Sequence, residues 1–226
     1  GNITSIAKNG TVQESYTYDN LNQLKTVTRG SDVWEYTYDN GGNILSVKKN
    51  GVVEKSYGYG DSTWKDLLTS FNGDTIEYDA IGNPIYYRNG FGFEWDSQRR
   101  LTYINGSNDS CYFSYDQNGL RVSKYSSSAD EFTDYYWLNG QLYGQRTYGQ
   151  WSEYYLIFLY DESGKAYGFL HDNGTTEAYY YYIFNAQGDV IGIVDSNGTV
   201  VVEYTYSAWG EVLSITGTMA DTIGQV

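Results

Sequence analysis

Few side chains in this sequence combine the type and spacing that chemistry demands. There is one histidine, His171, and one cysteine, Cys111. A Ser-His-Asp triad would have to recruit His171. That residue stands beside Asp172-Asn173-Gly174, a turn sequence, with no nucleophile motif alongside, and it reads as a surface turn histidine. Cys111 begins the strand-like run CYFSYD and reads as a buried structural thiol. Alone, it forms no internal disulfide, and one His with one Cys cannot make a His/Cys metal cluster.

Carboxylates are abundant, 28 against 14 Lys and Arg, for a net charge of −14. Glycosidase chemistry needs a pair held about 5–9 Å apart. Asp130, Glu131, Asp134 and Glu153 fall close together in an irregular middle region, but among so many acids such proximity arises by chance. The series Asp19, Asp39, Asp79, Asp96, Asp116, Asp161 and Asp195 could be read as calcium ligands. A calcium loop takes several oxygens spaced two apart, whereas each of these places offers a single carboxylate. No catalytic residue, metal ligand or cofactor is therefore expected. Rings are the remaining candidates: Trp137, Trp151 and Tyr181, the last within the run YYYY at 179–182, could stack sugars or pack on neighbouring strands.

Composition narrows the classes further. A length of 226 residues suggests one or two domains. So acidic a chain repels phosphate backbones and anionic membrane surfaces, so neither is an expected partner. The longest apolar run, YYLIFLY at 154–160, is far too short to span a bilayer, and no membrane insertion is expected. No Lys/Arg-led apolar stretch opens the chain, and its first residues already lie inside a repeat. The expectation is an excised fragment whose targeting information lies elsewhere.

Self-similarity is the strongest signal. A nine-residue frame fits YTYDNLNQL at 16–24, YTYDNGGNI at 36–44, IEYDAIGNP at 76–84, FEWDSQRRL at 93–101 and FSYDQNGLR at 113–121. It also fits FLYDESGKA at 158–166, YIFNAQGDV at 182–190, GIVDSNGTV at 192–200 and YTYSAWGEV at 204–212. The third place reads Tyr18, Tyr38, Tyr78, Trp95, Tyr115, Tyr160, Phe184, Val194 and Tyr206; the fourth is Asp in seven windows, Asn185 and Ser207 in the others. The seventh is glycine in seven: Gly42, Gly82, Gly119, Gly164, Gly188, Gly198 and Gly210. Asn-Gly pairs at 9–10, 50–51, 72–73, 89–90, 105–106, 139–140 and 173–174 fall between windows, and Arg29-Gly30 fills that slot once.

Residues at places one and three share a face of an extended strand. The Asp can bond its own backbone two residues on and open a turn, and the Gly supplies a positive φ. About six residues later Asn-Gly reverses the chain in a type I′ turn. Each unit of about twenty residues is thus a strand pair with a turn at either end. Stacked units form a ladder of antiparallel strands whose cross-strand rings each contribute roughly 0.2–1 kcal/mol, and no unit makes a core alone. The predicted class is all-β: tandem β-hairpin repeats forming a curved antiparallel ribbon. The whole of 1–226 reads as one repeat region, with regular repeats at 1–125, an irregular middle at 126–157, further repeats at 158–217 and a tail at 218–226. The insertion DSTWKDLLTSF at 61–71 could hold a helical turn.

The Tyr-x-Tyr-Asp spacing, with Gly three residues after the Asp, resembles the YD-repeat or Rhs-repeat family. The stretch at 185–217 looks like the opening of the Rhs-associated core segment, and FLYDESGKAYGF at 158–169 like the unit before it. The resemblance implies a ribbon spiralling into a hollow shell that, in bacterial members, encloses a C-terminal toxin; animal teneurins use a similar barrel at the cell surface. It implies a secreted or cell-surface bacterial scaffold, whose partners are the rest of the parent chain and its enclosed C-terminal domain, with glycans as the alternative partner. No Asp-Pro dipeptide is present, so no self-cleavage residue is carried over. About twenty strands at ~4.8 Å spacing and ~23 Å width give a sheet of roughly 2,300 Å², about half the wall that a cavity of ~20 Å radius needs. The expectation is an open ribbon without a sealed chamber, whose unpaired edges and exposed rings favour self-association of the isolated fragment.

Overall fold

The structure, a computed structural model, describes residues 1–107, 109–150 and 152–225, with Asn89 described in its backbone alone. The chain divides into two compact units, Gly1–Trp95 with Asn105–Ser107, and Asp96–Ile104 with Asn108–Val226.

In the first unit the chain folds as β1 (Ser5–Lys8), β2 (Thr11–Tyr18), β3 (Leu24–Arg29), β4 (Asp32–Tyr38), β5 (Ile44–Lys49), β6 (Val52–Gly58), β7 (Ser70–Phe71) and β8 (Asp74–Thr75). These eight are neighbours in sequence order, every pair antiparallel. Three further strands, β9 (Glu77–Tyr78), β10 (Pro84–Tyr87) and β11 (Phe91–Trp95), pair likewise. The second unit holds β12 (Leu101–Asn105), β13 (Ser110–Tyr115), β14 (Arg121–Ser126), β15 (Glu131–Leu138), β16 (Gln141–Gly149) and β17 (Glu153–Tyr160). It continues with β18 (Ala166–Asp172), β19 (Glu177–Phe184), β20 (Val190–Asp195), β21 (Val200–Tyr206) and β22 (Val212–Thr216), again adjacent in sequence order. The all-β ladder of antiparallel hairpins is the fold that the chain adopts.

Alternation sorts the two faces of each sheet. In the first unit Val27, Tyr36 and Val47 form a buried cluster flanked by Tyr16, Trp34 and Tyr38. On the other face, Thr17 meets Thr26 and Thr37 meets Ser46 through hydroxyl contacts of 2.6 and 2.7 Å. In the second unit the buried cluster is Leu156, Phe169, Tyr180, Ile193, Val201, Val202 and Ile223. Ile223 belongs to the segment after β22, which returns onto this face: Met219 N–H donates to the Val201 carbonyl at 3.1 Å and the Tyr204 hydroxyl to the Gly224 carbonyl at 3.1 Å.

Several turns differ from the sequence expectation. Asn9-Gly10, Asn50-Gly51, Asn72-Gly73 and Asn139-Gly140 have positive φ at both residues, as a type I′ turn requires. The slot assigned to Arg29-Gly30 is a two-residue turn of Gly30 and Ser31, because β3 continues through Arg29. The Asn89-Gly90 pair lies in a short 3-10 turn, Arg88–Gly90, and β12 extends through Asn105. At Asn173-Gly174 the loop is wider, with Asn173 Oδ1 accepting the N–H groups of Thr175 and Thr176. The insertion at 61–71 holds one turn, Leu67 N–H to the Trp64 carbonyl, capped by Asp61 Oδ1 on Thr63 and Trp64, and no helix.

Candidate functional site

The repeated turn is built the same way nine times. The side-chain oxygen at place four accepts two backbone N–H groups, from places six and eight. Asp19 takes Leu21 and Gln23, Asp39 takes Gly41 and Asn43, and Asp79 takes Ile81 and Asn83. Asp96, Asp116, Asp161 and Asp195 repeat the pattern, and Asn185 and Ser207 do so with their own side-chain oxygens. The place-four N–H also donates to the place-eight carbonyl, as Asp39 does to Asn43 at 2.9 Å, and the place-seven N–H returns to the place-four carbonyl. Place seven has positive φ in all nine windows, including the two without glycine, Asn22 at 62° and Arg99 at 63°. The ladder register slips beside place three, for example between Thr37 and Tyr38 or Thr205 and Tyr206. A turn closed by a left-handed residue with such a slip is the G1-bulge hairpin.

At Asp39, Asp96, Asp161 and Asp195 these bonds favour the ionised carboxylate. Hydrogen bonds from the Asn43 side chain and backbone keep Asp39 below the ordinary range. The Arg100 backbone N–H does the same for Asp96, the Ser163 side chain for Asp161 and the Thr199 backbone N–H for Asp195. A carboxylate so engaged is a turn clamp, and a poor proton donor.

A second device links successive units. The polar tip of the place-three ring donates to the backbone carbonyl at place nine of the preceding unit: Tyr38 to Leu24 and Tyr115 to Leu101 at 2.7 Å, and Trp95 Nε1 to Pro84 at 2.7 Å; Tyr206 makes the same bond at 2.7 Å to Val190, place nine of the window two before its own. Tyr18 reaches Ile3, Tyr78 reaches Leu68 and Tyr160 reaches Leu142 in the same manner. Two further tethers come from residues outside the nine windows, Tyr59 to Ile44 at 3.1 Å and Trp137 Nε1 to Arg121 at 2.8 Å. Tyr59 and Trp137 therefore head two units outside the nine windows, the first at Gly60, which keeps the twenty-residue period between Asp39 and Asp79. One is masked by the insertion after Asp61; the other turns through Asn139-Gly140 and lacks the Asp. Spacing from the previous place nine was the signal available, about fifteen residues in both cases.

A third class of residue also escaped the frame. A Cβ added to Gly144 would lie 2.8 Å from the Leu156 carbonyl, and one added to Gly168 would lie 2.3 Å from the Tyr180 carbonyl. These strand glycines allow close approach of neighbouring strands; a glycine inside a strand-like run was the sequence clue.

The chemically suggestive residues are dispersed. His171 lies within β18, opposite Leu156 and Ala178, with its ring 5.6 Å from Tyr154. It is a half-buried strand residue rather than a surface turn residue, because β18 runs on to Asp172, and burial lowers its pKa. The Cys111 thiol is half-buried and raised in pKa by burial, with Asp109 adding to the effect. Asp130 accepts the Tyr125 hydroxyl, Glu131 the Ser152 hydroxyl, and Glu153 pairs with Arg146 at 2.9 Å. Glu153 is held low by hydrogen bonds from Tyr155 and Arg146, the reverse of what a general acid needs. Among the described residues no three His, Cys, Asp or Glu side chains gather as a metal site. A cleft of about 350 Å³ on the apolar face of the second unit is lined by Phe169, Tyr182, Tyr204, Tyr206, Ile215 and Gly224, with no acid or base but tyrosine hydroxyls. Of the three sugar-stacking candidates, Trp137 is committed to its tether, Tyr181 stacks on Tyr167 at 6.3 Å and 6°, and Trp151 lies outside the described residues.

Asp-clamped bulge hairpins, tethered ring to carbonyl, define a YD-repeat β-sheet of the shell-forming class. The chain belongs to the Teneurin YD-shell family, whose model matches residues 1–224. No curated protein matches it. Among solved structures it resembles a chain of the Photorhabdus luminescens Tc holotoxin pore with a TM-score of 0.71 and 15% identity, over 94% of this chain and 12% of that one. It also resembles a chain of the TcdB2-TccC3-Cdc42 crystal structure, with a TM-score of 0.67 and 15% identity, over 91% of this chain and 12% of that one. Both likenesses concern the fold, and the chain spans only that small share of either.

Proposed function

We propose that this chain is a non-catalytic length of shell wall, and that in its parent protein the wall encloses or presents a C-terminal toxin or effector domain. The observation that carries the reading is the tether series, a bond repeated at every unit boundary where place three can donate, whose evident product is rigidity. Among the described strands four have a single neighbour, β1 and β8 in one sheet and β9 and β22 in the other, and such unpaired edges suit extension by adjoining repeats of the parent. Secretion or display at a bacterial surface belongs to the same reading. The test is protease protection in the full-length gene product. The region following the repeats should resist digestion and become sensitive when Phe169→Asp disrupts the apolar face. Digestion at equal rates in both proteins counts against enclosure.

Glycan binding is a second reading, favoured by the exposed Tyr179 and by the Tyr167–Tyr181 pair at the surface of β18 and β19. Retention on cell-wall glycan resin that Tyr181→Ala abolishes would support it; passage through every such resin would not.

A further inference from the structure

Across strands β12 to β16 the solvent side of the sheet departs from the Thr and Ser pattern of the first unit. One ring per strand forms a continuous file: Tyr103, Tyr112, Tyr125, Phe132 and Tyr148. Successive centroids lie 4.6, 6.1, 4.6 and 5.5 Å apart, with tilts of 33°, 34°, 35° and 18°. Tyr112 is 50% exposed and Phe132 43%. Because each ring faces the next, the file presents ring edges to solvent, and a phenol edge carries the hydroxyl and the carbon ortho to it.

We propose that Tyr103 and Tyr112 are an oxidative coupling site, joined within the chain as dityrosine when a haem peroxidase oxidises them at the expense of added hydrogen peroxide. Each phenol yields one electron and its hydroxyl proton, leaving a radical shared between the oxygen and the ortho carbons. The two unpaired electrons form a Cε–Cε bond, and the hydrogens on those carbons shift to restore both hydroxyls. The pair loses two hydrogens in all, and one peroxide is reduced to two waters. Tyr125 assists: its hydroxyl donates to Asp130 Oδ1 at 3.0 Å, so the carboxylate can take the proton as the electron leaves. Its ring lies 6.1 Å from Tyr112, a path for passing the oxidised state along the file. The inner tyrosines are poor competitors, since Tyr38, Tyr115, Tyr160 and Tyr206 commit their hydroxyls to backbone carbonyls. Tyr167 and Tyr181, at 6.3 Å, are a slower pair.

The experiment treats dilute folded protein with peroxidase and limiting peroxide, in a Cys111→Ser background that removes a competing thiol. Cleavage at Arg100 and before Asp109 separates the two tyrosines, so only a cross-link keeps residues 101–108 attached to the following peptide. The expected product is that joined pair, two hydrogens light, at a yield at least several-fold above any other tyrosine pair. Tyr112→Phe should abolish it and Tyr181→Phe should leave it unchanged. No joined pair, an equal yield in urea, or cross-links scattered over the inner tyrosines would overturn the assignment.

Discussion

The indole Nε1–H of Trp137 donates to the backbone carbonyl of Arg121 at 2.8 Å, in the same role that the Tyr38 hydroxyl plays toward Leu24 at 2.7 Å. Two different ring systems thus close one kind of joint. Trp137→Phe keeps the ring and removes the donor, leaving a half-buried carbonyl without that bond. It should lower stability by about 1–2 kcal/mol, read as a shift in the urea midpoint, while Trp137→Tyr recovers part of the loss. A midpoint unmoved by Trp137→Phe would show that the joint is incidental.

The turns allow a prediction of opposite sign. Arg99 occupies place seven at φ 63°, where seven sister windows have glycine. A left-handed residue with a Cβ costs roughly 1–2 kcal/mol relative to a right-handed one. Arg99→Gly should therefore raise stability by about 0.5–1 kcal/mol, offset in part by the freer unfolded chain. Gly119→Val should do the reverse, by about 1–2 kcal/mol. A Cβ at Gly119 meets only the Arg100 side chain at 4.0 Å, so the cost lies in the backbone. Equal melting points for Arg99→Gly, Gly119→Val and the parent would remove backbone strain from the account.

How much of this was legible in the sequence depends on which force set each feature. Alternating rings and the Asp-to-Gly interval act locally, so the strands, the clamped turns and even the unusual Asn22 and Arg99 turns follow from spacing. The tethers join residues ten to eighteen apart, as Tyr78 to Leu68 and Tyr160 to Leu142 do, and a backbone acceptor has no side chain of its own to mark it in the sequence. His171 was misplaced for a related reason: the Asp172-Asn173-Gly174 signal is local, but pairing of β18 with β17 and β19 carries the strand past it. The ring file on β12–β16 was hidden because each tyrosine looks alike in sequence, whether it faces inward or outward.

Acid and alkali should each remove a different support. Asp96, Asp161 and Asp195 have depressed folded pKa values, caused foremost by hydrogen bonds from the Arg100 backbone, the Ser163 side chain and the Thr199 backbone. Their stabilisation is complete above the unfolded carboxylate pKa of about 4 and is lost as pH falls through the lower folded values. Asp195→Asn keeps the acceptor, as Asn185 does naturally, and should flatten the acid limb of a plot of urea midpoint against pH. Tyr182 behaves oppositely: burial pushes its pKa up to about 12, with Tyr204 and Tyr160 adding. Its stabilisation is whole below the ordinary phenol value of about 10 and disappears as pH rises through about 12. Phenolate absorbance should show a late-titrating class that Tyr182→Phe diminishes. A single unperturbed tyrosine titration would contradict the burial.

Close packing predicts a severe outcome at a position where the side chain is merely one carbon larger. Gly168→Ala places a Cβ 2.3 Å from the Tyr180 carbonyl and 3.1 Å from the Tyr181 ring. Strands β18 and β19 would have to part, at about 3 kcal/mol, the upper range for overpacking. Phe169→Ala, next in the chain and 1% exposed, should cost about 3–5 kcal/mol through the cavity it leaves. Both are measured by chemical unfolding. A mild Gly168→Ala would mean that the two strands slide freely.

The tethers also say how the wall distributes its stability. Tyr38→Phe and Tyr206→Phe each remove one hydroxyl bond to a carbonyl, at Leu24 and Val190, and each should cost about 1 kcal/mol. The two joints lie in different compact units and share no partner, so the double variant should lose the sum, within about 0.5 kcal/mol. Joints in adjacent repeats are another matter. Tyr38 donates to Leu24, and Tyr59 donates to Ile44, the cross-strand partner of Tyr38 itself. Removing both hydroxyls loosens one strand pair from two sides, so Tyr38→Phe with Tyr59→Phe should depart from additivity by more than 0.5 kcal/mol. Nearest-neighbour coupling of this kind is what a repeat array transmits. Equal additivity in the near and far pairs would indicate that each tether acts only on its own carbonyl and that the wall's rigidity comes from the strand ladder alone.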